Sequence, residues 1–279
     1  MTVGRVLLVG ASLAIGVVAL SAALGGPVLP MWALGSIGFA YLVLLAWGSL
    51  APWLEMYGDV LWRVPEATGR LALTFDDGPD AVTTPLVLDM LRERGARATF
   101  FVLGERALAE PELLQRMVAE GHSIGLHSFN HNRLYAFLRP RAVCADVEQC
   151  RGIVEAATGT RAVWFRPPVG QMSPRTAGGV KLAGAEIVGW SARGRDGLKR
   201  TSPADVLGRL TPRLESGAIV LLHDAWERPK SAPSTPPAGV LALPALLDEI
   251  ARRGLQAVTL DELVLGAAGR TITKRAPGE

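Results

Sequence analysis

From Val6 to Leu54 the 279-residue chain has no Asp, Glu, Lys, Arg or His. A stretch that long without a charge cannot be a solvated surface, so this part reads as membrane. Its first apolar run, Val6 to Leu24, suffices for one span of ~20 residues. Gly25, Gly26 and Pro27 break it, and a second run follows from Val28 to Leu50. The expectation is a transmembrane helical hairpin over 1–54. A cleaved signal peptide stays open for the first run, because Arg5 precedes it and Ser21, Ala22 and Ala23 resemble a cleavage site. Trp47 and Trp53 suit a membrane interface.

Cysteine is nearly absent. Cys144 and Cys150 make no CxxC pair, and six residues apart on one helix they would not meet, which excludes a disulfide framework and a thiolate metal site. The net charge of +3 is modest, and no basic motif is interleaved with aromatics, so no nucleic-acid partner is expected. No internal repeat is visible. Histidine is scarce too: the chain has four.

What the chain does have, from Arg70 onward, is a regular alternation of short apolar runs with helical patterns, which argues for βα units. Strands are expected at 71–75, 98–103, 123–126, 163–165, 186–190, 218–222 and 256–260. The helices between them start at Thr84-Pro85, Pro111, Arg141, Ser173, Pro203 and Leu241, and a last one starts at Asp261. The fold class is α/β, a distorted (β/α)7-type barrel preceded by the hairpin. The domain plan is an anchor over 1–54, a linker over 55–69, a catalytic domain over 70–266 and a flexible basic tail over 267–279. A Pro- and Ser-rich segment, 229–237, follows the sixth strand, either as a plain connection or as a loop rimming the site.

The polar residues that need explaining all fall just after strands, at the end of a βα barrel where catalytic groups gather. Asp76 and Asp77 follow the first strand, and Gly78-Pro79 turns the chain so that two neighbouring carboxylates can share a site. His127 and His131 follow the third, four residues apart, and offer two nitrogen ligands; a carboxylate from Asp77 would complete a set that leaves a position open for water. Arg166 follows the fourth strand, Asp196 the fifth, and His223 with Asp224 the sixth. His122 is read as structural.

With TFDDGP (74–79), HSFNH (127–131), RPPVG (166–170), WSARGRD (190–196) and LLHD (221–224), the chain resembles the polysaccharide deacetylases, carbohydrate esterase family four, with its NodB-homology domain, over roughly 70–265. The family's fourth motif usually has Trp after its Asp; here Gly197 follows Asp196. The resemblance implies a metal-dependent hydrolase that removes N-acyl groups, typically acetyl, from an amino-sugar glycan. Asp77, His127 and His131 would hold a divalent metal, zinc before others. Asp76 would be the general base and His223 the general acid. Arg166 would pair with Asp76, Asp196 would orient His223, a backbone N–H near Val169 would meet the oxyanion, and Trp190 and Leu222 would line the acyl pocket.

Two alternatives stand beside this reading. A lipid-linked sugar is one substrate alternative, because Arg193, Arg195, Lys199 and Arg200 crowd the loop after the fifth strand, where they would meet an anionic diphosphate beside the membrane. A non-catalytic glycan-binding module on an inherited fold is the alternative from another class. The expected location is a bacterial-type plasma membrane. Arg5, Arg63 and Arg70 would keep the soluble part in the cytoplasm by the positive-inside rule, whereas the family resemblance implies the outer face, the side adopted here.

Overall fold

The structure, a computed structural model, describes residues 1–227 and 235–268. Most of the 229–237 segment and of the basic tail lies outside the described residues.

The charge-free stretch forms two helices, α1 (Val3–Ala23) and α2 (Met31–Leu50), with mean hydropathies of 2.4 and 1.7. At ~1.5 Å per residue each is about 30 Å long, enough to cross a membrane. Ser12 and Tyr41 hydrogen-bond between them at 2.9 Å. The base of the hairpin is tied to the rest of the chain. Arg5 pairs with Asp59 at 2.6 Å, the Tyr57 hydroxyl donates to the Leu45 carbonyl, and Ser49 exchanges two hydrogen bonds with the Met172 backbone. Gly48 leaves room at this junction for the Met56 side chain, whose sulfur would stand 2.2 Å from a Cβ placed there.

Beyond the hairpin a parallel sheet curls into a partial barrel. Its strands are β1 (Arg70–Asp76), β2 (Thr99–Val102), β3 (Ser123–Leu126), β4 (Trp164–Phe165), β5 (Glu186–Ile187), β6 (Ala192–Arg193), β7 (Ile219–His223) and β8 (Gln256–Val258). The order is β5-β4-β3-β2-β1-β7-β6, and β8 pairs with the start of β1 at Arg70 to Ala72. β1 is central and buried after its first residue, as its unbroken apolar run requires.

Alternation along the strands sorts the core into two layers. Leu73, Phe75, Phe100, Val220 and Leu222 face outward against α3 (Thr83–Glu93), α8 (Pro203–Leu210) and α9 (Ala238–Arg252), whereas Ala72, Phe101, Trp164, Val188, Ile219 and Val258 fill the inside. α6 (Pro140–Thr158) and α7 (Pro174–Leu182) cover β3 to β5.

The run 186–190, expected as a single strand, is divided. β5 ends at Ile187, the chain crosses the mouth of the barrel, and β6 begins at Ala192 against β7. The cause is a wedge of upstream chain. Leu61 donates to the Ile187 carbonyl and accepts from Gly189, and Val64 donates to Gly217, so residues 61–64 occupy the seam between β5 and β7. Val60, Val64 and Ala67 of the stretch 55–69 are buried there in the core.

Candidate active site

The carboxyl ends of β1, β3, β4, β6 and β7 bring Asp76, Asp77, His127, His131, Arg166, Asp196 and His223 to one end of the sheet. Two of these residues depart from ordinary backbone to get there. Asp77 (φ 76°) and His131 (φ 53°) adopt the left-handed region, as does Ser128 (φ 70°) between the histidines. Such conformations cost about 1–3 kcal/mol each and persist where the surrounding structure imposes them. Here Ser128 Oγ accepts the His131 N–H, and Arg106 donates to the Asp77 carbonyl at 2.6 Å.

Asp77, His127 and His131 each present a ligand atom, all within 4.8 Å of one another. Asp77 Oδ1 lies 3.6 Å from His127 Nε2 and 3.5 Å from His131 Nε2. Two ligands ~2.1 Å from a tetrahedral ion stand about 3.4 Å apart, so the spacing fits a cation. Asp77 Oδ1 is also buried without a hydrogen-bond partner, which a cation would supply. His127 Nδ1 meets the Arg166 carbonyl at 2.8 Å; donating there turns the Nε2 lone pair toward Asp77. Burial holds the His127 pKa below its ordinary value, so the ring is neutral and able to ligate.

Asp76 is held from one side. Arg166 Nη1 donates to its Oδ1 at 2.6 Å and to Thr74 Oγ1, while Nη2 donates to the Gly189 carbonyl. The guanidinium is completely buried, 4.1 Å above the Phe101 ring, and burial lowers its pKa against the opposing pull of Asp76. Asp76 Oδ2 is left facing the triad, 3.9 Å from His127 Nε2.

On the other flank Asp196 holds His223 twice, by its Oδ1 to Nδ1 at 2.9 Å and its Oδ2 to the backbone N–H at 2.8 Å. The acid is fully buried; the His223 side chain is 21% exposed. Burial pulls the His223 pKa down, but Asp196, then Asp77 and Asp76, outweigh it and push it up to about 10. Gly197, where the resembling family usually has Trp, lies against the His223 ring: a Cβ there would stand 3.4 Å from Cε1. That face of the imidazole is therefore not walled by an indole.

Val169 stands on a turn (Pro168–Gly170) after β4, 44% exposed, at φ 50°. Its N–H meets no acceptor among the described residues. Trp190 packs against Gly170, where a Cβ would come within 2.3 Å of the ring, and its centroid is 5.9 Å from Arg166 Cζ. Leu222 is not brought to the site. It is one residue out of phase with His223 on β7, so it points into the outer layer against Gly194 and Gly239. His122 is away from the cluster, its Nδ1 accepting from the Ala98 N–H.

Two participants carry no signal in the sequence. Glu227 Oε1 lies 3.3 Å from His131 Nδ1 and accepts from Arg133, and Arg106 bridges the Asp77 carbonyl to those of Trp226 and Glu227. Each sits in a stretch that reads as ordinary helix or loop polarity, and only the fold brings it to the triad.

Residues 63–188 match the family profile described as polysaccharide deacetylase. A peptidoglycan-N-acetylglucosamine deacetylase of Bacillus cereus is 35% identical over 214 residues, 76% of this chain and 95% of its own length. A chitooligosaccharide deacetylase of a Bradyrhizobium species is 34% identical over 212 residues, 74% of this chain and 94% of that protein. The solved structure of peptidoglycan deacetylase PdaC from Bacillus subtilis superposes with a TM-score of 0.63 at 28% identity, covering 72% of this chain and 92% of that one. With relatives more than 30% identical along almost their whole length, the chain belongs to the polysaccharide deacetylases, hydrolases of carbon–nitrogen bonds in N-acetyl groups.

Proposed function

We propose that the protein is a membrane-anchored, metal-dependent deacetylase of glycans containing N-acetylglucosamine. One observation carries the reading: the Asp77, His127 and His131 ligand atoms converge within 4.8 Å of one another, with a carboxylate oxygen of Asp76 3.9 Å from His127 Nε2. A divalent cation held by that triad, zinc before others, supplies Lewis acidity toward the amide oxygen and toward water.

The chain's own residues do the rest. Asp76 Oδ2, its partner oxygen fixed by Arg166, takes a proton from the attacking water as the O–C bond forms. The N–H of Val169, at the rim, donates to the oxygen of the tetrahedral intermediate. His223, kept protonated by Asp196, gives its proton to the amide nitrogen as the C–N bond breaks. Acetate and the free amine leave. A non-catalytic glycan-binding module does not require a base, an acid and a ligand triad all in place.

The anchor reading rests on the hairpin's length and hydropathy and on the ties that bind α1 to the chain after α2. Arg5, Arg63 and Arg70 count toward the cytoplasmic side, and the outer face is adopted on the family resemblance. A reporter fused at the C-terminus and active only outside supports this; activity only inside reverses it.

For the chemistry, the full chain in detergent is stripped of metal and reloaded, and acetate release from N-acetylglucosamine oligomers is followed. Turnover that returns with metal is expected. Turnover independent of metal, or undiminished in Asp76→Asn, would sink the proposal.

A further inference from the structure

Four arginines that the chemistry does not use share one cavity of about 470 Å³: Arg193 on β6, Arg195 just beyond it, Arg209 on α8 and Arg213 on the turn that follows. Among the described residues none of the four forms an ion pair with a carboxylate, whereas Arg63, Arg97, Arg116 and Arg253 elsewhere on the domain each do. Arg209 and Arg213 donate only to the backbone carbonyls of Gly194 and Arg209. Burial, then the charges of Arg195 and Arg213, pull the Arg193 pKa below its ordinary value. Like charges gathered this way repel, and among the described residues they are met only by the field of Asp205 at Arg209, the Trp190 ring beside Arg193 and the solvent that reaches Arg193, Arg195 and Arg213.

The rest of the lining is aromatic. Trp53, Trp62 and Trp190 complete the walls. Trp53 belongs to the turn Pro52–Leu54 directly after α2, so the cavity opens at the foot of the apolar hairpin. Indoles at that height suit the boundary between headgroups and acyl chains. Trp190 also reaches the catalytic end of the sheet. Its ring centroid is 5.9 Å from Arg166 Cζ and 6.0 Å from Arg193 Cζ, so one indole lies between the arginine that holds Asp76 and the arginines of the cavity.

An uncharged glycan gives no reason to gather four guanidiniums without a carboxylate paired to any of them. Their planar forks match phosphoryl oxygens, two hydrogen bonds at a time, and at a membrane surface the phosphoryl group at hand is carried by a lipid. We propose that the cavity binds the diphosphate of a lipid-linked amino sugar, holding the sugar at the catalytic mouth. This rests on the deacetylase reading for the fate of the sugar, but the phosphate site is tested without it.

The full chain in detergent is titrated with polyprenyl diphosphate N-acetylglucosamine and binding is followed by tryptophan emission, three of the seven tryptophans lining the cavity. In the double variant Arg193→Gln, Arg213→Gln the dissociation constant is expected to rise about tenfold or more, as loss of charge-assisted bonds requires. Acetate release from neutral N-acetylglucosamine oligomers should stay within about twofold of the parent, because neither arginine touches the catalytic residues. Should the double variant melt early, Arg213→Gln alone, on an exposed turn, carries the comparison. Binding unchanged by the substitutions overturns the site. Inorganic diphosphate binding as tightly as the lipid overturns the lipid source, and phosphatidylglycerol competing equally overturns the choice of a sugar carrier over bulk phospholipid. Arginine-dependent binding with no acetate from any substrate supports the phosphate site while overturning the deacetylase reading.

Discussion

Two charge pairs flank the ligand triad, and they are built differently. Arg166–Asp76 is sealed: the guanidinium is buried, closed by Thr74, the Gly189 carbonyl and the Phe101 ring. Asp196–His223 is sealed at one end only, with the acid buried and the imidazole partly open. In each pair the buried partner fixes the group that handles the proton in the proposed mechanism. The sealed pair has one carboxylate oxygen to offer and no freedom to turn. The open pair keeps a ring edge within reach of an arriving amide, and the rim of Gly197 leaves it room. The contrast predicts that damage to the first pair shows in folding as well as rate, and damage to the second shows mainly in rate and pH.

The largest effects separate the neighbours Asp76 and Asp77. Asp76→Asn should lower kcat by about 10³–10⁴-fold while the purified protein keeps its metal, since the triad is untouched. Asp77→Asn should lose activity to the same degree and the metal with it, because Asp77 Oδ1 is the carboxylate oxygen that faces the Nε2 atoms of both histidines, at 3.6 and 3.5 Å. Metal analysis beside turnover distinguishes them. Equal metal loss in both would mean that Asp76 is a ligand rather than the base.

Next comes the sealed pair itself. Arg166→Met leaves the Asp76 carboxylate buried without its partner, a change that costs about 3–5 kcal/mol. Thermal melting should show it as a drop of many degrees, together with loss of activity. Asp196→Asn in the open pair should melt much closer to the parent. If the two variants lost stability equally, the distinction between sealed and open pairs would fail.

Asp196→Asn should act through pH instead. In the proposed mechanism His223 works protonated, and its pKa of about 10 owes most of its upward push to Asp196. Raising that pKa carries activity to higher pH; removing Asp196 leaves burial to pull it down. The alkaline limb of kcat/KM should therefore fall by several pH units toward the ordinary histidine value of ~6.5, with kcat lower by about 10²-fold at pH 8. A bound cation offsets Asp77 and Asp76, so the parent limb should itself lie below 10. An alkaline limb that does not move would remove His223 from the acid's role.

How far these pairs could be read before the fold was known depends on how local their causes are. The strand ends were legible, because a buried parallel strand leaves an unbroken apolar run and the polar residue that follows it marks the barrel's open end; β1 with Asp76 and β7 with His223 are such cases. Divided β5 and β6 were not, since the break is imposed by Leu61, more than a hundred residues upstream. Leu222 was assigned to the wrong side of its strand by one residue; Leu221 shares the face of His223. Glu227 and Arg106 reach the triad from loops and helices distant in sequence, with nothing local to single them out.

The smallest expected effect tests the rim. Val169 holds a left-handed conformation that a β-branched residue adopts at a cost of about 1–2 kcal/mol, and its side chain is largely exposed. If the turn is there to aim a backbone N–H, the amide matters and the side chain does not. Val169→Gly removes the strain and keeps the donor, so kcat should stay within about threefold and the melting temperature should hold or rise slightly. A loss beyond about tenfold would show that the isopropyl group, and not the N–H, is what the site uses there. Glycine also frees the turn to sample other conformations, so the control is Val169→Asn, which tolerates the left-handed region and keeps the turn stiffer. Retained activity in Asn with loss in Gly would assign the residue to holding the turn in place, and retained activity in both would leave the backbone donor as its whole contribution.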